Sequence, residues 1–147
     1  MQHLKLTLLV VFAVIITGCA GTGSRQVEAD YDFPELTNVE RFFPSRSFSM
    51  SPMNDQVIML SDTINTKYIL VLARPDSAFK FHGGIGIVRR GNDIVAGQTR
   101  LYALDTAIKV GIPIRTIYKV DGKEELERVR QMVKDAKAKA DAANERN

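Results

Sequence analysis

Hydrophobic residues in the first 18 positions form one continuous run without a helical or strand period. Lys5 precedes the apolar residues 6–16, and the small residues Thr17 and Gly18 follow them. A basic residue, a short apolar stretch and small residues in this order are typical of a secretory signal peptide. A membrane-spanning helix needs about 20 apolar residues, so this run is too short for one. We therefore predict that residues 1–18 are a signal peptide and not a retained transmembrane anchor.

The next stretch has no hydrophobic period. Residues 20–32 are Gly, Ser, Thr and charged types with isolated apolar positions, a composition typical of a flexible tether. Residues 19–32 are thus predicted to be a tether, and residues 33–147 a single domain. Phe42, Phe43 and Phe48 mark the first packed segment of that domain.

The middle of the chain has the pattern of β-structure. Short runs rich in Val, Ile, Leu and Tyr, separated by turn-forming residues, predict strands at 56–60, 67–73, 84–90, 93–96 and 100–104. Ile112, Ile114 and Ile117 predict one more strand. Residues 85–88 and 94–96 are expected to pair as a hairpin across the turn 90–93, where Gly and Asn tolerate positive φ. A mainly antiparallel sheet of about five or six strands follows.

From about residue 122 the hydrophobic period changes to that of a helix. Apolar residues recur at spacings of three and four, at Leu126, Val129, Val133, Ala136, Ala140 and Ala143. This spacing predicts one long amphipathic C-terminal helix, and Asp121 with Glu124 resembles a capping box at its start. The apolar stripe weakens from Leu and Val to Ala, so the first half of the helix is expected to dock on the sheet and the second half to project from it or fray. The predicted fold class is α+β.

Charge and composition exclude several function classes. The chain has a formal net charge of +3, which falls to +2 without Lys5, and its Lys and Arg are scattered among nearly as many carboxylates. We predict no nucleic-acid site and no polybasic lipid site. Beyond the signal, the chain has one histidine, His82, and one cysteine, Cys19. The residues for a Cys–His pair within the domain or a histidine metal cluster are missing, so we predict no enzymatic activity and no cofactor.

One group of residues leaves a metal site open as an alternative. Met50, Met53 and His82 include two thioethers at close spacing, and thioethers are ligands of Cu(I). Methionines at such spacing also serve in loop or core packing. We keep both interpretations, with no assigned metal and these three residues as weak candidates.

The residues around the cysteine carry a resemblance. Ile16, Thr17, Gly18 and Cys19 follow the apolar run directly, and this sequence resembles the lipobox of bacterial lipoproteins. The resemblance implies that Cys19 receives a diacylglyceryl group after cleavage before it, and Ala20 after the cysteine implies sorting to the outer membrane. Two acyl chains give stable anchoring where one is marginal. The alternative is that Cys19 is an ordinary thiol.

Residues 40–118 carry a second resemblance. The shared pattern comprises residues 42–46 (Phe-Phe-Pro-Ser-Arg), 68–72 (Tyr-Ile-Leu-Val-Leu), 74–75 (Arg-Pro), 85–86 (Ile-Gly) and 114–118 (Ile-Arg-Thr-Ile-Tyr). It resembles an uncharacterised family of small proteobacterial exported proteins and lipoproteins, a domain of unknown function. Many members carry a cysteine directly after the Arg-Pro step, where this chain has Asp76. The resemblance implies a fold class and a location, and no reaction.

These observations favour a non-catalytic envelope lipoprotein on the periplasmic face of the outer membrane. We expect it to contact the membrane through acyl chains on Cys19 and to bind an envelope protein through its C-terminal helix. The alternative is a periplasmic domain that binds a small ligand or Cu(I).

Overall fold

The computed structural model describes residues 27–62, 66–81 and 83–146. The elements found there are β1 (Thr37–Asn38), β2 (Arg41–Phe42), β3 (Ser49–Pro52), β4 (Val57–Ser61), β5 (Thr66–Leu72), β6 (Ile85–Val88), β7 (Ile94–Val95), β8 (Arg100–Ala103), β9 (Ile112–Asp121) and α1 (Lys123–Asn144). A 3₁₀ turn, Ser77–Lys80, lies between β5 and β6. The predicted signal peptide, Cys19 and His82 lie outside the described residues. The α+β class with a mainly antiparallel sheet is confirmed.

Seven of these strands form one antiparallel sheet. Its order is β3-β4-β5-β9-β8-β6, and β1 pairs with the end of β9. The short strands β2 and β7 form a second, two-stranded sheet. Residues of both edge strands, β3 and β6, line one pocket, so the main sheet curls back on itself in the manner of an incomplete barrel.

The curled sheet has a hydrophobic core on each face. The inner core consists of Phe42, Ile58, Leu60, Tyr68, Leu70, Leu72, Phe79, Ile94, Leu101, Ala103, Ile112, Ile114 and Ile117. The outer core, under α1, consists of Tyr31, Phe33, Leu36, Val57, Ile69, Val71, Tyr118, Val120, Leu126, Val129 and Val133. Alternate residues of β4 and β5 go to opposite cores, as the two-residue period of a strand requires.

A bulge in β9 explains the spacing of its isoleucines. Leu72 pairs with Ile114 whereas Val71 pairs with Thr116, which leaves Arg115 as the additional residue. Ile114 and Ile117 can therefore both face the inner core although they are an odd number of positions apart.

The predicted hairpin of residues 85–88 with 94–96 is wrong. β6 pairs with β8 and β7 pairs with β2. The observed pairing places Gly86 opposite Tyr102, a fit between distant residues that favours it, because a Cβ at Gly86 would overlap the Tyr102 ring. Ile94 instead enters the inner core from the two-stranded sheet and is fully buried.

The helix α1 corrects two further expectations. The backbone N–H of Asp121 donates to the carboxylate of Glu125 at 2.7 Å, so Glu125 and not Glu124 reaches back across the helix start. The second half of α1 does not project: Ala140 is 7% exposed and the side chain of Asn144 is hydrogen-bonded to Val27. Val27, in the predicted tether, is thus bonded to the last turn of α1, and Ala136 packs against the outer core.

Within the residues that the structure describes, no helix combines the length and apolar character needed to cross a bilayer.

The fit between Gly86 and Tyr102 yields a stability prediction. Gly86→Ala should lower the free energy of unfolding by about 1–3 kcal/mol, the usual cost of overfilling a packed site. The measurement is urea unfolding followed by circular dichroism. Gly83→Ala is the matched control, because the atoms nearest to its Cβ belong to the exposed side chain of Asp105, which can turn away. Equal effects of the two substitutions would contradict the role given to the ring.

Candidate binding surface on the C-terminal helix

Residues 27–36, here called the N-terminal segment, pack against α1 and the outer face of the sheet. Tyr31 and Phe33 are 1% and 2% exposed and belong to the outer core, and Ala29 packs against it. Ordered packing therefore begins before residue 33, the predicted start of the domain. The alternation of Val27, Ala29, Tyr31 and Phe33 is the sequence signal that indicates an extended, packed segment here.

Three sets of hydrogen bonds hold the N-terminal segment. The side-chain amide of Asn144 accepts from the N–H of Val27 at 2.6 Å and donates to the carbonyl of Val27 at 3.0 Å. The amide of Asn54 donates to the hydroxyl of Tyr31 at 2.9 Å. The hydroxyl of Tyr118 donates to Asp32 at 2.9 Å and accepts from the N–H of Phe33 at 3.3 Å. The start of the segment is thereby tied to the last turn of α1.

The buried tyrosines of this region resist ionisation. Burial, followed by the negative charge of Asp55, raises the pKa of Tyr31 to about 12. Burial also raises the pKa of Tyr118. Both hydroxyls therefore stay protonated at physiological pH, where their role is to hold the N-terminal segment by hydrogen bonds.

Asp55 joins three elements beneath the end of α1. Its carboxylate lies 2.9 Å from Nζ of Lys80 in the 3₁₀ turn and 3.9 Å from Nζ of Lys137 in α1. The hydrogen bond to Asp55 raises the pKa of Lys80. The backbone carbonyl of Asp55 also accepts from the N–H of Asp76 at 2.8 Å. The side chain of Asp76 caps the 3₁₀ turn by accepting from the N–H of Ala78 at 3.0 Å.

An open groove, here called the helix groove, separates the N-terminal segment from α1. Its volume is about 420 Å³. One wall is formed by Val27, Glu28 and Asp30, and the other by Asp135, Ala136, Lys139, Ala140 and Ala143. The small alanine side chains let another chain approach the helix closely. Three carboxylates and one ammonium group at the rim favour a cationic occupant.

The structure does not bring the weak metal candidates together. Met50 packs against the inner core and Met53 against the outer core, on opposite faces of the sheet, and His82 lies outside the described residues. Met53 instead shares a pocket of about 230 Å³ with Met59. Arg130 and Lys134 also line that pocket, and two cationic side chains oppose binding of Cu(I). Within the described ranges, no group of three His, Cys, Asp or Glu side chains is arranged to hold a metal ion.

The sequence predicts α1, which forms one wall of the helix groove. It does not predict the other wall, which the N-terminal segment forms. The predicted tether includes Glu28 and Asp30, and Asn144 stands beyond the predicted apolar stripe. Only the fold brings them together, since 117 positions separate Val27 from Asn144.

Comparison with known proteins places the chain in a family. A model of a family of unknown function, DUF6491, matches residues 2–140. The chain belongs to this family. Neither a comparison with curated proteins nor one with solved structures finds a match.

The raised pKa of Tyr31 yields a pH prediction. Its folded value of about 12 exceeds the value near 10 of an unfolded chain, so the stabilisation is complete below pH 10 and is lost as the pH rises through 12. Tyr31→Phe should therefore flatten the fall in unfolding free energy between about pH 10 and 12. At neutral pH the loss of the Asn54 hydrogen bond should cost about 1 kcal/mol.

Urea unfolding at a series of pH values measures this difference. The difference in tyrosinate absorbance between the native chain and the Tyr31→Phe variant, measured in the same samples, gives the ionisation of Tyr31. Ionisation of Tyr31 at an ordinary pKa, in protein that is still folded, would contradict its burial.

Proposed function

We propose that this protein is a lipid-anchored binding module on the periplasmic face of the outer membrane, without catalytic activity. Its partner is a protein segment that lies in the helix groove. The observation that carries the proposal is the groove itself, in which the two ends of the described chain meet. Two hydrogen bonds between Asn144 and Val27 hold the walls in place, and a preformed site avoids the cost of ordering on binding.

The sequence before Val27 supports the anchor. Cys19, in the lipobox-like sequence, lies eight residues before Val27. Acylation at Cys19 would join the lipid to the domain through a short tether that leads directly to the helix groove. The partner would thus be met close to the membrane surface.

The lining of the groove indicates the chemistry of the partner. Ala136, Ala140 and Ala143 form a narrow apolar floor, and Glu28, Asp30 and Asp135 add negative charge. An extended or helical segment that carries small apolar side chains and Lys or Arg suits this surface. The Cu(I) alternative has less support, because the methionine pocket carries two cationic side chains.

Substitution of Cys19 tests the anchor. The native chain should lose residues 1–18, gain the mass of acyl chains and fractionate with the outer membrane, whereas Cys19→Ser should show none of these three changes. Intact mass spectrometry measures the cleavage and the acyl chains, and membrane fractionation measures the location. Ser24→Ala, in the same tether, is the control and should behave as the native chain does. If the native chain and Cys19→Ser are equally soluble and unmodified, the anchor is wrong.

Tryptophan substitutions at two adjacent alanines test whether the partner binds in the helix groove. A photo-cross-linker in place of Lys139, on the groove wall, should trap the partner in intact envelopes. Ala143→Trp fills the groove and should lower cross-linking by about tenfold, which corresponds to a loss of about 1.4 kcal/mol in binding. Ala142→Trp is the matched control, because Ala142 is exposed and does not line the groove. Equal yields from the two variants would show that the partner binds elsewhere.

A further inference from the structure

Exposed apolar side chains are concentrated on two loops. Phe81 follows the 3₁₀ turn, and Leu104, Ile108 and Val110 lie in the loop between β8 and β9. Phe81 and Ile108 are 72% and 78% exposed, and Leu104 and Val110 are 44% and 49% exposed. Large apolar side chains at such exposure mark contact surfaces when they occur together.

Both loops lie at one end of the sheet. β8 ends and β9 begins there, since Leu101 pairs with Ile112 in antiparallel fashion. β5 ends there too, because the N–H of Ala73 donates to the carbonyl of Pro113 at 2.9 Å. The loops also touch, through a hydrogen bond of 3.1 Å from the N–H of Leu104 to the carbonyl of Gly84. We call this end of the sheet the loop end.

The N-terminal segment starts at the same end. Val27, Asn144 and Asp55 line one groove together with Pro75, which precedes the 3₁₀ turn and Phe81. The pairs of Asp55 with Lys80 and Lys137 connect the 3₁₀ turn to the last turns of α1. Val27 therefore lies at the end of the sheet where β5 ends and the chain continues toward Phe81.

The tether is short compared with the domain. The eight residues from Cys19 to Val27 reach at most about 28 Å when fully extended. The 22 residues of α1 are about 33 Å long. A membrane anchor at Cys19 therefore lets the loop end reach the lipid, whereas a tether extended alongside α1 would stop short of the opposite end of that helix.

We infer that the loop end is a lipid-binding face, which inserts Phe81 and Ile108 into the interfacial region of the membrane that holds the protein. Lys109, exposed beside Ile108, adds a cation suited to phospholipid headgroups. This inference rests on the proposed anchor at Cys19. It adds that the domain has a fixed face toward the bilayer and does not hang freely from its tether.

Single tryptophans test this face, since the chain has none. Phe81→Trp and Ile108→Trp are made in the full acylated chain and reconstituted in phosphatidylethanolamine and phosphatidylglycerol vesicles. Phospholipids with bromine on the upper acyl carbons should lower the tryptophan fluorescence of both variants by about twofold or more. Insertion at the headgroup boundary requires this quenching.

Phe43→Trp is the matched control, because Phe43 is 70% exposed at the opposite end. Its neighbour Phe42 stacks on Tyr68 near the start of β5, and Ser45 is bonded to Asp62 after β4. The Phe43→Trp variant should show no quenching. Equal, weak quenching in all three variants, in protein that co-floats with the vesicles, would overturn the lipid-binding face and leave the anchor intact.

Further outcomes distinguish a failure of the proposed anchor from a failure of the lipid-binding face. Acylation that fails, or protein that does not co-float, refutes the proposed anchor before any fluorescence is measured. A blue shift in the Phe81→Trp variant without bromine quenching indicates a protein surface in place of lipid and overturns the inference. Backbone hydrogen exchange of residues 104–111 in the unsubstituted chain gives a second readout: it should slow at least about twofold in vesicles relative to detergent, and unchanged exchange would contradict insertion.

Discussion

The fold depends on a single strand, β9, both faces of which are buried. β9 pairs with β5 along most of its length, with β8 at its start and with β1 at its end. The bulge at Arg115 changes which side chains face inward partway along the strand. Ile112 and Ile114 before the bulge and Ile117 after it therefore face the inner core, whereas Tyr118 and Val120 face the outer core. Because a bulge also bends a strand, the same additional residue helps the sheet to curl around the inner core.

The outer face of β9 in turn positions the candidate surface. Tyr118 contacts Phe33 edge to face, with ring centroids 5.3 Å apart, and bonds Asp32. The N-terminal segment therefore runs from the end of α1, where Val27 is bonded to Asn144, onto the outer face of β9. Asp55 then connects α1 to the 3₁₀ turn. The helix groove, Val27 and the 3₁₀ turn before Phe81 thus belong to one packed unit.

Local patterns predict much of this fold, and contacts between distant residues account for the rest. The period of α1 and the strands from β4 to β9 are visible in the sequence because periodicity is a local property. The pairing of β6 is not, because it depends on the fit of Gly86 against Tyr102. The docking of the end of α1 escapes prediction for the same reason, since Asn144 is bonded to Val27 at the other end of the described chain. The groove cannot be predicted from either wall alone, although the alternation from Val27 to Phe33 indicates that this segment packs.

The acyl chains and the apolar loops would act on the membrane with different strengths, and the difference defines their roles. Each buried methylene of an acyl chain contributes about 0.8 kcal/mol, so two chains suffice for stable attachment. Full burial of Phe81 or Ile108 would contribute about 1.5–3 kcal/mol each, and interfacial insertion less. The loops alone are therefore too weak to hold the protein, but a few kcal/mol is enough to select one orientation of a domain that is already tethered. In that orientation the half of α1 that lines the helix groove is the half nearest the lipid, within reach of a partner in the same membrane.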